Sequence, residues 1–189
     1  MIHQLSDNQL SNYAETLKIT SNPYAQLWIL SQLKEFILSF LNLLESNQVL
    51  ELRNLILNCF NPTNSNFVTS SLIQLFGILT VLGWWKDVEL QKFQNDLLVF
   101  HSSYDQELQK IGIQLLNSVV MEMNYATSSL KKMPKHRKTA VNFRDVFLLD
   151  IFKQAFLLIS TGSPGAKVRE VALLLLRNCL IFDFIGNKR

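Results

Sequence analysis

The sequence predicts an all-α fold, an α-solenoid of about four HEAT-like helix pairs. Three observations carry this expectation. Helix breakers are scarce, with 4 Pro and 6 Gly in 189 residues. Apolar residues recur at i, i+3, i+4 and i+7 along most of the chain. Aromatic residues open successive second helices of a pair, at Tyr24, Phe67 and Tyr104, spaced 43 and 37 residues apart. A period of roughly 40 residues with two helices each is the HEAT/armadillo period.

The elements follow in order. Ser6 and Gln9 fit a capping box, and Leu10, Tyr13, Ala14 and Leu17 form the stripe of a first helix ending near Ile19. Asn22 is a cap and Pro23 the first position of a second helix reaching Leu44, with Leu30, Leu33, Ile37, Phe40, Leu41 and Leu44 in its stripe. A third helix spans Asn47 to Phe60. After the Asn61-Pro62-Thr63-Asn64 turn, an uncharged fourth helix runs from Phe67 to Leu82, with Gly83 ending it.

Asp87 caps a fifth helix, Val88 to Phe100. Ser103 and Gln106 form a second capping box before a sixth helix that ends near Met123. A polar, basic inter-repeat loop occupies 124–144. Asp145 caps a seventh helix to Ile159, and the Thr161-Gly162-Ser163-Pro164-Gly165 turn leads to an eighth, Lys167 to Phe184. The whole of 1–189 reads as one solenoid segment. Neither end carries a polar capping repeat, so a fragment or shortened copy of a longer superhelix is expected.

Composition bounds the function. Apolar residues make up 48% and charged residues 17%, which specifies a folded chain with much hidden surface. A net charge of +3 does not argue for nucleic acid. Cys59 and Cys179 lie in apolar helical patterns and read as buried free thiols in a reducing compartment. No signal peptide opens the chain. The uncharged stretch through Phe67–Trp85 is long enough to cross a bilayer, but its Thr, Ser and Gln residues and its amphipathic neighbours favour a buried helix over a membrane span.

No residues form a catalytic, cofactor or metal constellation. His3, His101 and His136 are scattered. Gly162 to Lys167 lacks the glycine spacing and following hydroxyl of a phosphate loop. Asp145, Asp150 and Glu170 have no acid–base partner at short spacing. The Trp84-Trp85 pair either closes a turn between helix pairs or marks a partner site, with packing of at least one ring favoured.

One charge run stands out. Lys131, Lys132, Lys135, His136, Arg137 and Lys138, with Arg144 beyond, are the candidate partner-binding residues. A solvated loop, a nuclear import signal and a site for phosphate, nucleic acid or an acidic protein patch all fit the run. The lack of interleaved aromatics weighs against single-stranded nucleic acid.

Several segments, in order, resemble one family. They are Tyr24-Ala25-Gln26-Leu27, Leu52-Arg53-Asn54, Phe67-Val68-Thr69, Leu72-Ile73-Gln74-Leu75 and Leu82-Gly83-Trp84. Then come Glu122-Met123-Asn124, Lys135-His136-Arg137-Lys138, Phe143-Arg144-Asp145, Leu149-Asp150-Ile151-Phe152 and the stretch from Asn178 to Gly186. Together they resemble the N-terminal region of the exportin-7, or Ran-binding protein 16/17, class of the importin-β superfamily.

That resemblance implies a HEAT solenoid that binds the GTP form of Ran and protein cargo, meets nuclear pore proteins, and shuttles between nucleus and cytoplasm. It also implies that the second helix of each pair forms the Ran-facing wall, and that the chain starts after the family's first repeat. A helical-repeat scaffold without GTPase binding is the alternative.

Overall fold

A computed structural model describes residues 12–40, 43–84, 86–97, 100, 103, 105–125, 135–161 and 164–182, and no strand occurs among them. The helices are α1 (12–19), α2 (Pro23–Ser39), α3 (Ser46–Asn58), α4 (Asn66–Gly83), α5 (Val88–Gln91), α6 (Phe93–Asp96), α7 (Gln106–Tyr125), α8 (His136–Phe143), α9 (Leu149–Thr161) and α10 (Ala166–Leu180). Between α8 and α9 the chain widens into one π-turn, Arg144–Leu148, without leaving the helical path.

The expected stacking is present. α2 packs on α4, α4 on α7, and α7 on α10, so the second helices of successive pairs form a continuous row. α3 packs on α4 and α9 on α10, which places the first helices in a second layer. The core lies between the layers. Leu33, Ile37, Ile56, Leu72, Phe76, Leu79, Leu115, Val119, Ala172 and Leu175 are among its fully enclosed members. α4 is long and apolar enough to cross a membrane, but its apolar side chains are spent against α2, α3 and α7.

Local chemistry sets several boundaries. The Asn22 Oδ1 accepts from the N–H groups of Tyr24 at 2.9 Å and Ala25 at 3.3 Å, and Pro23 takes the first helical position. Asp87 Oδ1 accepts from the Glu89 N–H at 3.0 Å. Other boundaries differ from the expectation. α2 stops at Ser39, with Phe40 as its cap. The fifth helix is two short turns separated at Lys92. α7 is capped by Asp105, which accepts from the Glu107 N–H at 2.8 Å, while Ser103 Oγ accepts from the Asp105 N–H at 3.1 Å. Ser103 therefore supports the cap at Asp105 rather than forming the expected box. The proposed Ser6–Gln9 box lies outside the described residues.

Most of the described residues of the loop expected at 124–144 are helical. Asn124 and Tyr125 finish α7, and residues 136–143 are helical. Thr139, Ala140 and Phe143 turn inward and supply the tertiary contacts that the basic run conceals in sequence. Asp145 caps nothing, because the helical path passes through it; it accepts from Arg144 Nε at 2.7 Å instead.

Five aromatic rings knit the first-helix layer. Trp84, in the turn after α4, meets Phe143 at 5.5 Å and Phe147 at 5.1 Å, both edge to face, and Phe93 at 6.2 Å. Phe182 joins through Phe143 at 6.0 Å. The indole Nε1 of Trp84 donates to Asn142 Oδ1 at 2.9 Å, so the buried N–H is paired. Because α5 and α6 are only two turns, α8 reaches back to the end of α4. Trp84 thus packs in the core, as favoured from sequence; Trp85 lies outside the described residues.

Candidate partner-binding surface

The fold presents two candidate surfaces, the outward side of the second-helix row and the basic run. The row is built by periodicity. On α2, buried Ile29, Leu30, Leu33, Phe36 and Ile37 face the core. Tyr24, Trp28, Ser31 and Glu35, at steps of four, three and four residues, face away. Tyr24 is 74% and Trp28 61% exposed. Phe67, at the corresponding start of α4, stacks on Tyr24 with centroids 5.6 Å apart and planes at 27°. Three aromatic rings therefore sit in solvent at one end of the row. Sequence reading marked Tyr24 and Phe67 as repeat markers and missed Trp28. The available signal was that Tyr24 and Trp28 run out of phase with the Leu30–Leu33–Ile37 stripe.

Polar bonds link successive members of the row. Lys34 Nζ donates to Gln74 Oε1 at 3.0 Å, between α2 and α4. Ser118 Oγ donates to the Ile73 carbonyl at 2.9 Å, between α7 and α4. Asn178 Nδ2 donates to Asn117 Oδ1 at 2.7 Å, between α10 and α7. Lys167 Nζ meets Glu107 Oε1 at 3.0 Å at the end of the same pair of helices. Lys110 also contacts Glu107, and the hydrogen bonds from Lys110 and Lys167 hold that carboxyl below the usual range. An open groove between α4 and α7 is lined by Ser70, Gln74, Ser118, Met121 and Glu122.

The structure divides the basic run. Lys135 is exposed in the turn before α8, and Arg137 and Lys138 are exposed in its first turn. His136 points inward at 9% exposure and does not belong to the exposed basic surface. Arg144 is drawn aside by Asp145; their hydrogen bond raises the guanidinium and lowers the carboxyl relative to their ordinary ranges. Lys131 and Lys132 lie outside the described residues. Lys86, which sequence reading did not select, belongs near the run. Burial first, and the Lys135 charge second, hold its ammonium below the usual lysine range.

Deeper polar groups are structural. Arg53, 1% exposed on α3, pairs with Asp96 of α6 at 2.7 Å and ties the short α6 turn to the layer. Cys179 is a buried free thiol, whereas Cys59 is free but only half-buried, so the expectation of two buried thiols holds for one of them.

Exportin-7-A of Xenopus laevis is 34% identical over 202 aligned residues, which cover 96% of this chain and 18% of that protein. Ran-binding protein 17 of Homo sapiens is 33% identical over 94% of this chain and 18% of its own length. Ran-binding protein 16 of Drosophila melanogaster is 30% identical over 90% of this chain and 17% of its own length. The chain thus spans less than a fifth of the curated relatives it matches. No family model and no solved structure matches it.

Proposed function

We propose, from the premise that this chain belongs to the exportin-7 (Ran-binding protein 16/17) class along almost its whole length, that it is a segment of a nuclear transport receptor. The observation that carries this reading is similarity at 30–34% identity over 90–96% of the chain to proteins named for export and for Ran binding. The helix-pair stack supports it, because a solenoid offers a long continuous row of helix faces to macromolecular partners.

In this reading the row of α2, α4, α7 and α10 meets Ran in its GTP form. Tyr24, Trp28 and Phe67 serve as apolar anchors, and Ser31, Glu35, Lys34 and Gln74 as their polar rim. Protein cargo binds elsewhere on the same stack, and each ligand favours a curvature of the row, so that one binding event shifts the other. Passage through pores between nucleus and cytoplasm, with contacts to pore proteins, follows from the same reading.

The test is capture of Ran loaded with GTP or with GDP on the purified chain, at two salt concentrations. Selective retention of the GTP form supports the proposal. Equal retention of both forms, or of neither, overturns it for this chain and favours a helical-repeat scaffold without GTPase binding.

A further inference from the structure

The turns inside the first two helix pairs frame a cleft with two adjoining halves. Thr20 of the α1–α2 turn, Gln26 of α2, and Asn61 and Asn64 of the α3–α4 turn line both halves. The first half is a cavity of about 290 Å³. Its floor is apolar and buried: Leu17 of α1, Leu55 of α3, and Val68 and Leu72 of α4. The second half, of about 390 Å³, is lined by Ser21, Thr63 and Ser65 beside Pro23. Each half is near the size of a small-ligand site, and the pair suits an occupant that is apolar at one end and polar along the rest.

Two amides are held where the halves meet. Gln26 Nε2 donates to the Thr20 carbonyl at 3.0 Å, and Asn64 Nδ2 donates to the Cys59 carbonyl at 2.8 Å. These bonds fix both side chains by their nitrogens. Each amide oxygen remains an acceptor, and neither has a partner among the described residues. Lys18, exposed near the end of α1, lines the apolar half and is the sole charged side chain in either lining. Its charge acts on the Cys59 thiol in the same wall: burial raises that thiol above its ordinary range, and Lys18 partly offsets the rise. Neither lining holds an Asp or a Glu.

We propose that this cleft takes the C-terminus of a partner polypeptide that ends in an apolar residue. The last side chain covers the Leu17, Leu55, Val68 and Leu72 floor, and the terminal carboxylate meets Lys18 without repulsion from any acid. The main-chain N–H groups before it supply the donors that the Gln26 and Asn64 oxygens lack. A fatty acid matches the floor and Lys18 but brings no N–H for the two amides. A nucleic acid needs more than one cation. The inference does not depend on Ran binding, because neither lining includes Tyr24, Trp28 or Phe67.

The test is fluorescence anisotropy with the hexapeptide Ala-Ser-Ala-Ser-Ala-Leu, labelled at its N-terminus, with a free or an amidated C-terminus. The intact chain binds the free acid and holds the amide about tenfold more weakly. Lys18→Gln weakens the free acid by a similar factor and leaves the melting temperature unchanged, because the side chain is exposed. Methylating the last peptide nitrogen also weakens binding. Saturating free acid slows alkylation of Cys59 and leaves that of Cys179 unaltered, since only Cys59 lines the cleft. The comparison of acid with amide uses the intact chain, so it stands even if the Lys18 variant folds poorly. The proposal is overturned if the free acid does not bind at about 1 mM, or if the amide or the Lys18 variant binds as well. It is also overturned if bound peptide leaves Cys59 alkylation unchanged, or if octanoate protects Cys59 as well as the peptide does, which would mark a fatty-acid site.

Discussion

Ser118 of α7 rests directly against Gly77 of α4. Its hydroxyl donates to the Ile73 carbonyl at 2.9 Å, and a Cβ placed on Gly77 would collide with that hydroxyl and lie 3.2 Å from the Ser118 carbonyl oxygen. The two central helices of the row approach this closely because position 77 has no side chain. Gly77→Ala is expected to destabilise the fold by about 1–3 kcal/mol through overpacking. Urea unfolding measures it; a variant as stable as the parent would show that the helices can part without cost. Ser118→Ala in the same background recovers only part of the loss, since the backbone carbonyl stays in place.

Trp84 is the second point of vulnerability. Trp84→Ala removes a fully enclosed ring that touches Phe93, Phe143 and Phe147, and should cost about 3–5 kcal/mol. Asn142→Leu leaves the indole N–H without its 2.9 Å acceptor and should cost about 1–3 kcal/mol. Chemical denaturation of both variants checks the order; an Asn142 variant more harmful than Trp84→Ala would contradict the packing described.

Cys179 gives a pH dependence with a definite sign. Burial pushes its thiol up to about 12 from an ordinary value of 9.0. The unfolded chain ionises first, so this thiol favours folding fully below pH 9.0, and its contribution is lost as pH rises toward about 12. Denaturation midpoints should fall across that window, and Cys179→Ala should flatten the fall. At neutral pH, alkylation of native protein should reach half-buried Cys59 well before Cys179.

Trp28 and Tyr24 test the row as a binding face. Both rings are largely exposed, so Trp28→Ala should leave the melting temperature within about a degree or two. If the face carries Ran, the same change weakens capture of the GTP form by roughly 2 kcal/mol, the scale of an aromatic anchor. Unaltered capture with intact binding elsewhere would remove the aromatic end from the contact.

The helix pairs were legible because each carries an apolar stripe, and Asn22–Pro23 and Asp87 were legible because capping is local chemistry. The rest was set by tertiary contacts. His136–Phe143 has few apolar residues and a basic start, so it reads as loop until Phe143 is seen inside the aromatic cluster. The Lys92 interruption and the π-turn at Arg144–Leu148 have no periodic signature at all. For the surface, the exposure of Lys135, Arg137 and Lys138 agrees with a charge run facing solvent. The inward turn of His136, the withdrawal of Arg144 and the arrival of Lys86 were not legible, since each depends on a neighbour brought in by the fold.

An ideal repeat array unfolds like a row of independent blocks, each leaning only on the next. The meeting of Trp84 with Asn142, Phe143 and Phe147 departs from that rule, because it joins the second pair to the fourth across the shortened third. Loss of any one of those three pairs strips contacts from both others, so they melt as one cooperative unit. α1 and α2 stand outside this bond and can open first. A hydrogen-exchange profile of the chain should therefore show two tiers of protection, with the step between α2 and α4, and not a gradient from one end to the other.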